Sequence, residues 1–156
     1  MPKFIMLVGV PGSGKSTWIR SQKITNDAII LSTDNYIEEK ALREDETYTE
    51  AFPKYIEEAT AQMYEDLEYA IQNGKDIIWD QTNTTLRGRR NKIQKIPGSY
   101  DKIAVVFNVP DDLMDRLKIR DIEEGKHIPQ EVIDNMIKYF EPPTRFEGFS
   151  KIIHVN

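Results

Sequence analysis

The chain has 156 residues, enough for one domain with a well-developed core and a small lid, and too few for a second catalytic domain. Hydrophobic residues make up 39% and charged residues 30%, a globular balance that argues against disorder. The absence of cysteine excludes disulfides, a thiol nucleophile and a cysteine-built zinc site. The net charge of −5 argues against a protein that coats nucleic acid or an anionic membrane.

Lys3 to Val8 carries an apolar run without alternation, the pattern of a buried central strand. A membrane span takes about 20 such residues. With no secretory signal visible either, an intracellular, cytoplasmic protein without membrane contact is expected. Gly9 to Gly14 is a glycine turn, and Lys15 to about Gln22 continues as a helix. Ala28 to Leu31 reads as a second strand, ending at Ser32-Thr33-Asp34. The acidic stretch from Glu38 to Glu50 predicts loops or a short helix.

From Phe52 to Asn73 apolar residues recur at helical steps, and Gly74 is placed to end that helix. Asp76 to Trp79 is a third strand leading into Asp80, and Leu86 to Lys95 a short basic helix stopped by Pro97-Gly98. Lys102 to Val109 forms a fourth strand. Pro110 suits the first turn of a helix carrying Leu113, Met114 and Leu117 on one side. After a loop at Gly125 to Ile128, Pro129 opens a helix with Val132, Ile133, Met136, Ile137 and Phe140 at helical spacing. Pro142-Pro143 terminates it, and Lys151 to Val155 is a fifth strand.

Strands alternating with helices predict an α/β fold with a mostly parallel five-stranded sheet flanked by helices. Charge is uneven along it. Asp34 to Glu68 carries twelve acids against three bases, whereas Leu86 to Lys102 carries six bases against one acid.

Gly9-Val10-Pro11-Gly12-Ser13-Gly14-Lys15-Ser16-Thr17 fits the Walker A pattern Gly-x-x-x-x-Gly-Lys-Ser/Thr in full. Its glycines let successive backbone N–H groups face inward, and the following helix adds unpaired N–H groups at its positive end. Gly12, Ser13, Gly14, Lys15, Ser16 and Thr17 are therefore the expected nucleotide-binding residues of a P-loop NTPase fold. Lys15 reaches for the β- and γ-phosphates, and the Ser16 hydroxyl is a ligand for Mg²⁺. The chain is short for a motor ATPase with an added helical lid domain. It also lacks the Asn-Lys-x-Asp sequence of a base-reading GTPase, which leaves a small kinase.

A kinase needs a group to orient or deprotonate its acceptor, and cations over the leaving phosphoryl group. Asp34 and Asp80 follow the second and third strands, where ligands gather in open parallel sheets, and are the expected active-site acids. Asp80 points to the metal through water or to the acceptor, while Asp34 has the alternative of an N-cap. Thr82 and Asn83 either hydrogen-bond the acceptor or cap the next helix. Arg116, Lys118, Arg120 and Lys126 suggest a cationic lid over about 116–128, with Arg116 and Arg120 on one helical face. The basic run from Arg87 to Lys95 suits either a phosphate-bearing acceptor or a solvated helix face.

In these residues the chain resembles the P-loop polynucleotide 5′-hydroxyl kinases, in their phage and eukaryotic forms. The resemblance rests on the Gly9–Trp18 loop, on Ser32-Thr33-Asp34-Asn35-Tyr36, on Trp79-Asp80-Gln81-Thr82-Asn83, and on the stretch from Tyr139 to Ser150. It implies ATP as the donor, with Lys15 and Ser16, and Thr17 beside them, on the phosphates and Mg²⁺. It further implies Asp34 as general base on the 5′-hydroxyl of a DNA or RNA end, Asp80 and Thr82 in the acceptor site, and Arg116 and Arg120 as lid cations, Arg120 foremost. A phage or bacterial source follows from the small form, the host cytoplasm being the compartment if phage-encoded. One departure stands out. Where the phage family grips the acceptor's 3′-phosphate with an arginine three residues after the aspartate, this chain has Ile37, leaving Lys40 or Arg43 to reach from the next turn. The Ser-Thr-Asp-x-Tyr form is also similar to a looser set of P-loop kinases and ATPases that occur as modules in larger proteins.

The expectation is one P-loop kinase domain over residues 1–156 that transfers the γ-phosphoryl group of ATP to a 5′-hydroxyl nucleic-acid end, with no obligate protein partner. The alternatives are a nucleoside, sugar or other small hydroxyl acceptor, or a nucleotide-binding ATPase module.

Overall fold

The computed structural model describes residues 1–22 and 27–156. Its sheet has five parallel strands: β1 (Lys3–Val8), β2 (Ile29–Leu31), β3 (Ile77–Trp79), β4 (Asp101–Phe107) and β5 (Lys151–Val155), in the order β2-β3-β1-β4-β5. With β1 at the centre, the strand order reverses beside its C-terminal end. In an open parallel sheet this reversal creates the crevice where ligands bind.

Alternate residues of the strands face opposite sides, so both faces must be covered. On one side Phe4, Met6, Leu31, Trp79 and Val106 pack with Met63, Leu67 and Ala70 of the long helix α3 (Tyr48–Gln72). On the other, Ile5, Leu7, Ile78 and Phe107 pack with Trp18 and Ile19 of α1 (Lys15–Ser21). Two smaller clusters build the rim of the crevice. Ile37 and Ala41 of α2 (Thr33–Glu44) meet Ala51 and Ala59 of α3, and Val10 meets Leu113 of α5 (Leu113–Glu124) and Ile133 of α6 (Gln130–Lys138). The remaining helix, α4 (Leu86–Ile93), follows β3.

Of the two forms expected for the acidic segment after β2, loops or a short helix, the helix is the one formed: α2 begins five residues before Glu38 and runs for three turns. Ser32 caps it by accepting a hydrogen bond from the Asn35 amide at 3.2 Å, and Ile37 and Ala41, one turn apart, bury against α3. Helix α3 likewise starts four residues early, because Thr47 and Glu50 form a reciprocal capping box. Pro110 lies in the turn before α5, where its carbonyl accepts from the Leu113 amide at 3.2 Å, instead of in the helix. Met114, Val132 and Ile137 stay largely exposed, so α5 and α6 bury narrower faces than their spacing suggested. Among the described residues no helix is long and apolar enough to cross a membrane.

Candidate active site

The Walker A loop rises from β1 and wraps the N-terminus of α1. Gly12 and Gly14 have φ of 80° and 103°, a region costly for residues with a Cβ. A Cβ on Gly9 would come within 2.6 Å of Ser13 Oγ and 3.0 Å of Phe107 Cβ, so any larger residue there forces its neighbours to shift. Lys15 folds back across the loop, its ammonium donating to the carbonyls of Gly9 at 2.7 Å and Val10 at 2.9 Å. Burial lowers its pKa to about 8, in a field where Asp80 and Asp34 oppose the shift while Arg120 and Lys126 add to it.

The loop fits a polyphosphate. No side chain caps α1, so its first-turn amides are unfilled, and Ser13 Oγ is buried with no partner among the described residues. Ser16 and Thr17 lie exposed at the mouth. The donor set also fits Mg²⁺: the Ser16 hydroxyl is exposed at the loop, and among the described residues the Asp80 carboxylate has no side-chain donor while its charge acts on Lys15.

Asp34 and Asp80 converge on this end of the sheet, and the charge of Asp34 acts on Asp80. Their environments push them apart. Burial raises the pKa of Asp80 against the pull of Lys15. Burial also pushes Asp34 upward, but the charge and hydrogen bond of Lys126, the hydroxyl of Tyr48 and the charge of Arg120 outweigh it and hold Asp34 below the ordinary carboxylate value. Asp34 is not the N-cap of α2; that position is Ser32, and Asp34 stands in the first turn with its side chain half exposed.

The four lid cations take different places. Arg120 joins the cluster, its charge acting on Lys15, Asp34 and Asp80, with Glu124 at 3.9 Å. Arg116 sits at the rim, donating to the Gly12 carbonyl at 3.3 Å and pairing with Asp112 at 2.9 Å. Lys118 faces solvent. Lys126 is buried, its ammonium 2.8 Å from Asp34 Oδ2. The loop that carries Lys126 is docked on α3: Thr49 donates to the Gly125 carbonyl from its amide at 3.3 Å and its hydroxyl at 2.9 Å, and the His127 amide donates to Thr49 Oγ1 at 3.1 Å.

The turn after β3 is fastened to the phosphate loop. The Gly9 amide donates to the Thr82 carbonyl at 2.9 Å, and Asn83 Nδ2 donates to the Leu7 carbonyl at 2.8 Å. Asn83 is buried with φ of 50°, its Oδ1 accepts from Lys92, and its carbonyl accepts from Arg89 Nη1 at 2.9 Å. The cap of α4 is Thr85, so the capping role expected for Asn83 is not the one it fills, and its side chain instead ties the turn to β1 and α4. Thr82 keeps its place beside the crevice, half-buried. The basic run resolves in the same way. Arg89 is fully buried in a forked pair with Glu147, at 2.7 and 3.3 Å, and Lys92 lies over the Trp79 ring, its pKa lowered by burial to about 8. Arg87 and Arg90 remain exposed.

Ile37 is wholly buried between α2 and α3. Lys40 is stacked over the rings of Tyr36 and Tyr55, and Arg43 pairs with Glu39 at 2.6 Å, so neither supplies the missing anion grip in this arrangement. Sequence reasoning assigned no role to Tyr48, and grouped Lys126 with the lid cations without a task. Only their placement by α3 and the docked loop brings them to Asp34.

Residues 4–143, from β1 to the second proline after α6, match the family described as the AAA domain. The chain belongs to the AAA domain family. It is 24% identical over 156 residues to human heterogeneous nuclear ribonucleoprotein U-like protein 2, covering 96% of this chain and 21% of that protein. It is 32% identical over 147 residues to an L-seryl-tRNA(Sec) kinase of Methanococcus maripaludis, covering 89% of this chain and 52% of that one. The chain thus spans between about a fifth and a half of these relatives. Among solved structures it is similar to a chain of a Pnkp1/Rnl/Hen1 complex, with a TM-score of 0.55 and 26% identity over 83% of this chain and 40% of that one. The expected P-loop α/β fold is the observed one.

Proposed function

We propose that this protein is a kinase that transfers the γ-phosphoryl group of ATP to a hydroxyl acceptor, with Asp34 as the group that takes the acceptor's proton. The observation that carries this is the meeting of Lys15, Asp34, Asp80 and Arg120 in one electrostatic cluster at the phosphate loop. In the reaction the acceptor oxygen bonds to the γ-phosphorus, the bond from that phosphorus to the β–γ bridging oxygen breaks, and the proton passes to the Asp34 carboxylate as ADP leaves. Lys15 holds the β- and γ-phosphates, and Arg120 offsets charge on the transferring group, with Arg116 at the loop's rim beside it. Ser16, and Asp80 through water, would hold Mg²⁺, which supplies charge neutralisation on the phosphates when bound.

For the acceptor, the burial of Ile37 and the prior engagement of Lys40 and Arg43 support a small hydroxyl compound over a polynucleotide end. The acidic flank of α2 and α3 adds to this, because it repels a long polyanion. A second reading, a 5′-hydroxyl nucleic-acid end with Thr82 contacting it, is favoured by the Asp80-Gln81-Thr82-Asn83 turn and by the similarity to the Pnkp1/Rnl/Hen1 chain. The test is transfer of γ-labelled phosphate to sugars, nucleosides and a 5′-hydroxyl oligonucleotide in parallel. Label on a small acceptor supports the proposal; label confined to the oligonucleotide overturns it in favour of the second reading.

A further inference from the structure

Burying an ammonium group costs several kcal/mol unless its surroundings repay it, so a buried lysine needs a reason. Lys126 has only 6% of its side chain exposed, yet it is carried by a loop otherwise rich in exposed groups. Fastening that loop is not the reason, because the Thr49 hydrogen bonds to Gly125 and His127 already do so through the backbone. What Lys126 reaches is the functional face of Asp34. Its ammonium lies 2.8 Å from Oδ2, 3.8 Å from Glu38 Oε1 and 4.4 Å from the centre of the Tyr48 ring. The Tyr48 hydroxyl donates to the other oxygen, Oδ1, at 2.5 Å.

We propose that Lys126 and Tyr48 are positioning residues that clamp Asp34, one donor on each carboxylate oxygen, so that the remaining lone pairs face the acceptor hydroxyl. A carboxylate offers about four lone-pair sites, and two donors from fixed directions leave it oriented yet still able to accept. The Asp34 side chain stays half exposed despite both donors. Asp80, by contrast, has no side-chain donor among the described residues, so the two acids differ in preparation as well as in place. The clamp also divides the labour of the lid cations: Lys126 serves the carboxylate, and Arg120 is left for phosphate. This inference rests on the reading of Asp34 as the proton acceptor. The charged and titratable groups around Asp34 are Lys126 from the loop, Tyr48 from α3, Glu38 from α2, Arg120 from α5, and Lys15 and Asp80 across the crevice.

The test uses the full chain with Lys126→Met, Lys126→Arg, Tyr48→Phe and Asp34→Asn. The ¹³C shift of the Asp34 carboxyl is followed against pH, and phosphate release from ATP to water or to an acceptor found by the labelled screen is followed in parallel. Lys126→Met removes the ammonium, and with it the contact to the Tyr48 ring, while keeping an unbranched side chain of similar length. It is expected to raise the Asp34 titration midpoint and to lower turnover on the order of 10²-fold, the cost of misplacing an aligned group by about 1 Å. KM for ATP should stay within about twofold, Lys126→Arg should recover much of the turnover, and Lys126→Met should cost nothing more in the Asp34→Asn background. An unmoved Asp34 midpoint in folded Lys126→Met, or a further loss in the double variant, overturns the clamp. Full transfer by Asp34→Asn with a shifted midpoint in Lys126→Met would instead overturn the proton-acceptor reading and leave the clamp as geometry.

Discussion

Replacing Arg89 by methionine should cost this protein a large part of its stability. The guanidinium is fully buried and makes three hydrogen bonds: two to Glu147, at 2.7 and 3.3 Å, and one to the Asn83 carbonyl at 2.9 Å. Methionine fills much of the volume, so the loss is electrostatic rather than a cavity. Among the described residues it leaves the Glu147 carboxylate, with 7% of its side chain exposed, only the Thr144 amide, and it strands the Asn83 carbonyl. Breaking a buried pair from one side costs about 3–5 kcal/mol, which in a chain of this size is about 6–20 °C in melting temperature. Urea unfolding followed by fluorescence and circular dichroism measures it, coincident transitions establishing that one equilibrium is read. Arg89→Met combined with Glu147→Gln removes both charges and should recover more than half of the loss. A cost below about 1 kcal/mol for Arg89→Met, or a double variant as unstable as the two single losses added, would refute the reasoning.

Three other outcomes follow from the same structure. Ile37→Ala should destabilise by about 2–4 kcal/mol in urea, because the side chain is wholly buried in the α2–α3 seam. Gly125→Ala should release the docked loop, since φ is +63° and the new Cβ would lie 2.5 Å from Thr47 Cβ; faster amide exchange at Gly125 and His127 would report it. ATP affinity, read by calorimetry, should weaken above about pH 8 as Lys15 loses its proton, approaching tenfold per pH unit, and Lys15→Met should abolish that dependence. The folding consequence has its own sign. Lys15 and Lys92 both titrate near 8 when folded and near 10.5 when unfolded, so the unfolded chain binds more protons in between and stability contributed by these groups rises with pH across that window.

The phosphate loop and the five strands were legible because both are local. A strand flanked by glycines announces itself in a few residues, and the Walker A spacing encodes its own backbone. Asp34 and Asp80 were legible for the same reason, each sitting where a strand ends. The body of α3 was legible from its helical spacing, but α2 and the start of α3 were not fixed, because the acidic residues hide an apolar stripe of only Ile37 and Ala41, and the caps act through Ser32, Thr47 and Glu50, residues equally at home in loops. The clamp on Asp34 joins residues 34, 48 and 126, from three different elements, so no window of sequence contains it. The structural part of Asn83 was hidden for a related reason: its left-handed backbone and its partners in β1 and α4 come from distant stretches of the chain.

The central claim is that a loop binding ATP presents its γ-phosphoryl group to a hydroxyl whose proton Asp34 accepts. The most direct measurement pairs ATP affinity with γ-phosphoryl transfer in the wild-type protein and in Asp34→Asn, across the sugar, nucleoside and oligonucleotide acceptors. The account predicts ATP affinity unchanged within about twofold and transfer reduced by about 10²–10⁴ in the variant, the worth of a positioned base. Transfer by Asp34→Asn at the wild-type rate, or ATP bound by the wild-type protein with none of these acceptors labelled, would contradict it.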